Sequence, residues 1–114
     1  IEKNRKAADC IRANLKFTRL EDRAEVMNLD VFTALSMLEG RAPFDCIFMD
    51  PPYNKELEKQ VLSLLSSASF VDGDTWILVE ASLDTSFDYL ESFGFEIIKD
   101  KKYKTNRHIF LRKV

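Results

Sequence analysis

Apolar positions along the chain fall into short periodic blocks separated by polar breaks. Ala7, Ile11 and Leu15 recur every four residues, so Lys3 to about Leu15 is predicted as an amphipathic helix. Glu25 to Asn28 has the pattern of a short strand, after which Asp30 is placed to cap a second helix. That helix carries Val31, Leu35 and Leu38 on its apolar face and is closed by Gly40. Phe44 to Met49 is a compact apolar run, read as a buried strand that Asp50-Pro51-Pro52 terminates. Leu57, Val61, Leu64, Leu65 and Ala68 define a third helix. Asp72-Gly73-Asp74 is a turn, and Trp76 to Val79 is a near-continuous apolar strand of the kind covered on both faces. Phe87, Leu90 and Phe93 predict a fourth helix ending at Gly94. Phe95–Lys99 and Tyr103–Arg112 then form two strands whose connection is too short for a crossover, so they pair antiparallel.

This alternation predicts an α/β domain. Its sheet is mostly parallel, with a C-terminal antiparallel hairpin and helices on both faces in three αβα layers. A single domain over residues 1–114 suits the length. An apolar fraction of 46% and a charged fraction of 32% are ordinary for a soluble globular protein. No apolar run reaches the roughly 20 residues that span a bilayer, and no basic-then-apolar leader is visible, so no membrane partner is expected. Cys10 and Cys46 lie in apolar segments without C-x-x-C spacing and are expected as buried thiols in a reducing cytoplasm. His108 is the only histidine, which argues against a multi-histidine metal site or relay, and it is expected to be structural. No metal is expected.

Charge is uneven. Lys99, Lys101, Lys102, Lys104, Arg107, Arg112 and Lys113 face Asp100 alone at the C-terminal end, whereas the rest of the chain is acidic on balance. Such an end suits either a polyanion-facing edge or a solvated hairpin whose lysines discourage edge-to-edge pairing.

Ligands in open α/β sheets bind beyond the carboxyl ends of the strands. Glu2, Asp30 and Asp50 fall at those ends, one β-α repeat apart, and are expected on one rim. The sharpest feature is Asp50-Pro51-Pro52-Tyr53. Two prolines fix two successive φ angles and bias Asp50 towards an extended conformation, so the loop is stiff. A flat heterocycle bearing an amino group suits this loop. The Asp50 carboxylate and the Pro51 carbonyl would accept the two amino hydrogens while Tyr53 stacks on the ring. Holding both hydrogens aims the nitrogen lone pair at an electrophilic methyl, and acceleration comes from positioning and preset electrostatics.

Asp-Pro-Pro-Tyr after a hydrophobic strand resembles the fourth motif of the class I amino-methyltransferases. Ile1-Glu2-Lys3-Asn4, Asn28-Leu29-Asp30-Val31, the run Phe44 to Tyr53, and Ile77-Leu78-Val79-Glu80 together resemble a bacterial family that methylates the 2-amino group of a guanine in small-subunit ribosomal RNA. The similarity extends over essentially all 114 residues. It implies a Rossmann-like class I methyltransferase fold and S-adenosylmethionine as cofactor. It further implies that Glu2 binds the ribose hydroxyls, that Lys3 lies along the adenine, and that Asp30 with the Val31 backbone receives the adenine amino group. Asp50 would border the cofactor and, with Pro51, Pro52 and Tyr53, hold the target base. Ribosomal RNA or the small ribosomal subunit is the implied partner, with Lys101, Lys102, Lys104 and Arg107 as phosphate contacts. Glu80 reads as a rim ligand or a helix-preceding carboxylate, the second being preferred.

The family's first strand and glycine-rich loop, which pass beneath the methionine part of the cofactor, are not matched. Gly40, Gly73 and Gly94 form no G-x-G, so the chain is expected to be an N-terminally incomplete part of a longer protein. The tetrapeptide is shared with DNA adenine, DNA cytosine and protein-glutamine enzymes. Those activities, and a non-catalytic binding module of the same fold, remain alternatives.

Overall fold

The computed structural model describes residues 1–53 and 55–114. The chain divides into two compact units, Ile1–Leu38 and Glu39–Val114, each taken by itself below.

The first unit contains helices α1, Arg5–Phe17, and α2, Val31–Leu38. α1 starts two residues later than its periodicity suggests because Asn4 is its cap: Asn4 is extended and its side-chain oxygen accepts from the Ala7 amide at 3.0 Å. The expected strand at Glu25–Asn28 does not form a ladder. Its place is taken by one backbone bond, Glu2 N–H to the Met27 carbonyl at 2.9 Å, and by the Asn28 side chain. The Asn28 amide donates to the carbonyls of Glu2 and Lys3 at 2.8 and 3.0 Å, doing with a side chain what a strand does with its backbone. Asp30 caps α2 as expected, its Oδ1 accepting from the Thr33 amide at 3.0 Å. Gly40, at φ +96°, follows the end of α2 in the left-handed region, as its closing role requires.

The second unit holds a four-stranded sheet in the order β1-β2-β4-β3. The strands are β1, Cys46–Met49, β2, Trp76–Ser82, β3, Phe95–Lys102, and β4, Asn106–Lys113. β1 and β2 are parallel, whereas β4 is antiparallel to both β2 and β3. Three of the four strands therefore share a direction, and the hairpin contributes the single reversed strand, inserted beside β2. A bulge between Ile97 and Lys99 shifts the hairpin register. Helix α3, Leu57–Leu65, lies in the same unit.

β2 is buried on one side only. Ile77, Val79 and Ala81 are inaccessible, but Trp76 on the alternate side is exposed and stacks under the Arg112 guanidinium, 4.1 Å from its ring centre. Ile109 and Leu111 of β4 pair with Val79 and Ile77, so these four side chains form the sheet's contribution to the core. Leu62 and Leu65 of α3, with Phe70 and Leu90, complete it. Phe48 on β1 is 58% exposed, and Cys46 and Cys10 are exposed rather than buried. Cys46 stands on the exposed side of β1, which alternates between an exposed and a half-buried side, and Cys10 on an exposed part of α1, so apolar neighbours in sequence did not bury either thiol.

The expected fourth helix is replaced by turns and a single 3-10 turn, Glu91–Phe93, closed by Gly94 at φ +80°. Its residues are occupied locally: the Thr85 amide donates to the Ser82 carbonyl at 3.2 Å, and the Ser82 and Thr85 hydroxyls bond each other at 2.7 Å. Hydroxyl side chains that satisfy nearby groups in this way compete with helix formation.

Candidate active site

β1 delivers Asp50 to the carboxyl end of the sheet, and the ladder stops there because neither Pro51 nor Pro52 has an N–H to donate. The Asp50 carboxylate is exposed and makes no hydrogen bond or ion pair among the described residues. It remains available as an acceptor. Tyr53 turns back across the neighbouring strand end, where its hydroxyl donates to Glu80 Oε1 at 2.9 Å. The residue stays 38% exposed, leaving ring surface on which a planar group can stack.

Glu80 is held in turn. It sits on β2 directly opposite His108 of β4, with Oε2 3.8 Å from His108 Nε2. The Tyr103 ring packs against the imidazole at 4.8 Å between centroids. Desolvation raises the Tyr53 hydroxyl above its ordinary pKa, the bond to Glu80 and the charges of Glu80 and Asp50 adding to this. Tyr53 is thus a firm donor at neutral pH. Sequence reasoning weighed Glu80 as a rim ligand but preferred another role, and it missed His108 beside it. The available signal was the position of Glu80 at the end of the strand beside the one that ends at Asp50.

In the first unit, Glu2 and Lys3 are fixed through their carbonyls by Asn28, which sequence reasoning did not single out. The Glu2 carboxylate has no partner among the described residues, so both its oxygens can receive the hydroxyls of a vicinal diol. Asp30 accepts from the Thr33 hydroxyl at 2.6 Å and from the Thr33 amide. These two bonds hold its pKa below the usual carboxylate value; burial opposes them, and the Phe32 amide and the charge of Lys3 add smaller lowering effects. It is anionic at neutral pH and retains lone pairs for another donor. Val31 begins α2 beside it and is half-buried. Their chemistry suits hydrogen-bond donors: a vicinal diol at the free Glu2 carboxylate and an amino group at Asp30. Glu2, Lys3, Asp30 and Val31 belong to the first unit, whereas Asp50 to Tyr53 belong to the second.

The basic hairpin is not uniform. Lys101, Lys102 and Lys104 are exposed, with Lys101 Nζ 5.2 Å over the Tyr103 ring. Arg107 is engaged internally. Its guanidinium pairs with both Asp100 carboxylate oxygens at 2.5 and 3.3 Å, donates to the Thr85 carbonyl at 3.0 Å and covers the Phe87 ring at 5.3 Å. That differs from the expected phosphate contact: the β3–β4 register places Arg107 where Asp100 can clamp it, so it acts as a strut between hairpin and loop. No group of histidine, cysteine and carboxylate side chains among the described residues is placed to hold a metal ion. No helix among them is long and apolar enough to cross a membrane.

Solved structures share this architecture. The chain superimposes on mitomycin 7-O-methyltransferase with a TM-score of 0.68 at 15% identity, covering 97% of this chain and 40% of that one. A conserved hypothetical protein of Streptococcus pyogenes matches with a TM-score of 0.86 at 26% identity, covering 99% of this chain and 69% of that one. The fold is therefore that of the class I methyltransferases. A family model described as Conserved hypothetical protein 95 matches residues 1–112, and the chain belongs to that family. Within the curated proteins it is 28% identical over 85 residues to ribosomal RNA small subunit methyltransferase D of Haemophilus influenzae, covering 74% of this chain and 44% of that protein. The chain spans less than half the length of the curated relatives it matches.

Proposed function

We propose that this chain is part of an S-adenosylmethionine-dependent methyltransferase acting on the exocyclic 2-amino group of a guanine in small-subunit ribosomal RNA. One observation carries the reading: the Asp50 carboxylate, unpaired among the described residues, lies three residues before Tyr53, whose hydroxyl is anchored on Glu80 while part of its surface stays open. The name of the Haemophilus relative supports the RNA substrate.

Bound S-adenosylmethionine supplies an electrophilic methyl group on a sulfonium. Glu2 would receive the ribose hydroxyls, Asp30 and the Val31 backbone would receive the adenine amino group, and Lys3 would pack on the adenine through its alkyl stem. Asp50 and the Pro51 carbonyl accept the hydrogens of the target amine, countering delocalisation of the nitrogen lone pair into the ring. Pro52 keeps the loop stiff, and Tyr53, held by Glu80, fixes the plane of the base. As the nitrogen lone pair forms the new carbon–nitrogen bond, the methyl's bond to sulfur would break with its electron pair staying on sulfur as a neutral thioether. The Asp50 carboxylate would stabilise the positive charge on nitrogen, and the proton would pass to water. Rate enhancement rests on alignment rather than on a strong base. Lys101, Lys102 and Lys104 contact phosphates. We place this activity in the cytoplasm, where a bacterium assembles its ribosomes.

The test is transfer of labelled methyl from S-adenosylmethionine by the full-length protein. Small-subunit RNA from a strain deleted for the enzyme is expected to accept label, whereas RNA from the untreated parent is not. Transfer to DNA or to a protein glutamine would move the chain to a sibling activity, and calorimetry showing no cofactor binding would make it a non-catalytic module.

A further inference from the structure

Two exposed aromatic rings stand at the same end of the sheet. One is Tyr53, which follows β1. The other is Tyr103, 44% exposed, in the turn between β3 and β4. Register puts that turn beyond the carboxyl end of β2, because Ser82, the last residue of β2, pairs with Asn106, the first of β4. A backbone bond from the Tyr103 amide to the Asn106 carbonyl at 2.8 Å fixes the residue in place. Three contacts then lead from one ring to the other. Tyr53 bonds Glu80 at 2.9 Å, Glu80 lies 3.8 Å from His108 Nε2, and the imidazole packs on the Tyr103 ring at 4.8 Å. Glu80 and His108 are cross-strand partners, so both rings stand on one face of the sheet, each resting on one of two strands about 5 Å apart.

The surroundings of Tyr103 are basic. Lys101, Lys102 and Lys104 are exposed, while Asp100, the one acidic side chain from residue 99 onward, is held by Arg107. The turn therefore carries uncompensated positive charge beside an aromatic ring, the combination that holds an unpaired nucleic-acid strand by phosphate and by base. A double helix does not suit it, because stacked bases cover one another's faces. Lys101 Nζ lies 5.2 Å over the Tyr103 ring. An exposed ammonium over a ring is held more weakly than a base stacked on one. A base can therefore displace Lys101, and the freed ammonium gains a phosphate.

We infer that Tyr103 stacks the base of an unpaired ribonucleotide next to the target guanine, while Lys101, Lys102 and Lys104 hold the phosphates around it. The inference rests on the RNA reading of the function and adds a requirement on the substrate: the target base and its neighbour are both unpaired. Tyr53 then receives the base that is methylated and Tyr103 the one beside it. His108, braced between Glu80 and the Tyr103 ring, keeps the spacing of the two.

The full-length protein would be titrated with a fluorescent RNA hairpin whose loop holds one guanosine among uridines. Two further hairpins carry an abasic residue in place of the uridine on one or the other side of the guanosine. Removing the base from one of these sides is expected to weaken binding about tenfold. Tyr103→Ala should weaken binding of the intact hairpin about tenfold and bring the three RNAs to the same affinity, with the slope of log K against log salt unchanged. Tyr103→Trp should restore the parent's discrimination, which a change in folding alone would not produce. Equal binding of the three RNAs by the parent, no binding of the intact hairpin, or a Tyr103→Ala variant that still discriminates among them would overturn the surface. Methyl transfer to small-subunit RNA is scored separately. If methyl reaches guanine N2 while the parent ignores both abasic sites, the surface fails and the function stands. If the hairpins bind as described but small-subunit RNA accepts no methyl, the function fails and the surface stands.

Discussion

Tyr53 and Glu80 are 27 residues apart in the chain and joined by a 2.9 Å hydrogen bond between the loop after β1 and the neighbouring strand β2. The bond makes the aromatic ring a fixed wall, because β1 and β2 set the spacing of the two residues and His108 flanks the second carboxylate oxygen. Tyr53→Phe keeps the ring and removes the anchor. Methyl transfer is expected to fall about tenfold, the scale of a hydrogen bond to a charged acceptor. Glu80→Leu should match that loss and Glu80→Gln, which keeps an acceptor, should be milder. Steady-state kinetics of the three variants, with cofactor affinity unchanged, is the check.

Asp50 has a different task. Asp50→Asn retains one carbonyl acceptor but places a donor where the second oxygen was, and it removes the charge opposite the developing cation. A loss of about a hundredfold in kcat is expected, in line with removing one preset electrostatic partner. Single-turnover rates at saturating cofactor measure it. A variant within about twofold of the parent would show that the carboxylate is not engaged.

Acid should act on the first unit through Asp30. Its folded pKa lies below the ordinary carboxylate value, chiefly through the Thr33 hydroxyl bond, so its contribution is present above that ordinary value and disappears as pH falls through the lowered one. Urea unfolding between about pH 5 and pH 2 should therefore show a loss of stability that is smaller in Asp30→Asn, since asparagine caps a helix without titrating. A variant with the parent's pH dependence would contradict this.

The hairpin lysines and Arg107 should separate cleanly. Replacing Lys101, Lys102 or Lys104 by alanine is expected to lower the slope of log K against log salt for RNA binding by about one for each phosphate no longer neutralised. Arg107→Ala should instead lower the unfolding midpoint, because it releases Asp100 and the Thr85 carbonyl. Fluorescence titrations at several salt concentrations, paired with thermal melts, distinguish the two.

The elements most readable in the sequence were those whose determinants are local. Asp30 as a cap, Gly40 and Gly94 as closures, the apolar run stopped by Pro51 and the charged hairpin all depend on a residue and its near neighbours. What could not be read depends on partners distant in sequence. Glu25 to Asn28 has strand composition, yet the Asn28 side chain takes the bonds a ladder would make. Phe87, Leu90 and Phe93 have helical spacing, yet Ser82 and Thr85 satisfy one another instead. The site divides in the same way. Asp50 to Tyr53 is a contiguous motif, but Glu80 joins it through strand pairing, and Arg107 leaves the set of phosphate contacts only because register brings Asp100 to it.

The atom that receives the methyl group tests the central claim most directly. Small-subunit RNA labelled by the full-length protein from S-adenosylmethionine would be digested to nucleosides and resolved by liquid chromatography with mass detection. A single labelled nucleoside, N2-methylguanosine, is predicted, and it should be lost in Asp50→Asn. Label on another base or on another atom of guanine would contradict the claim.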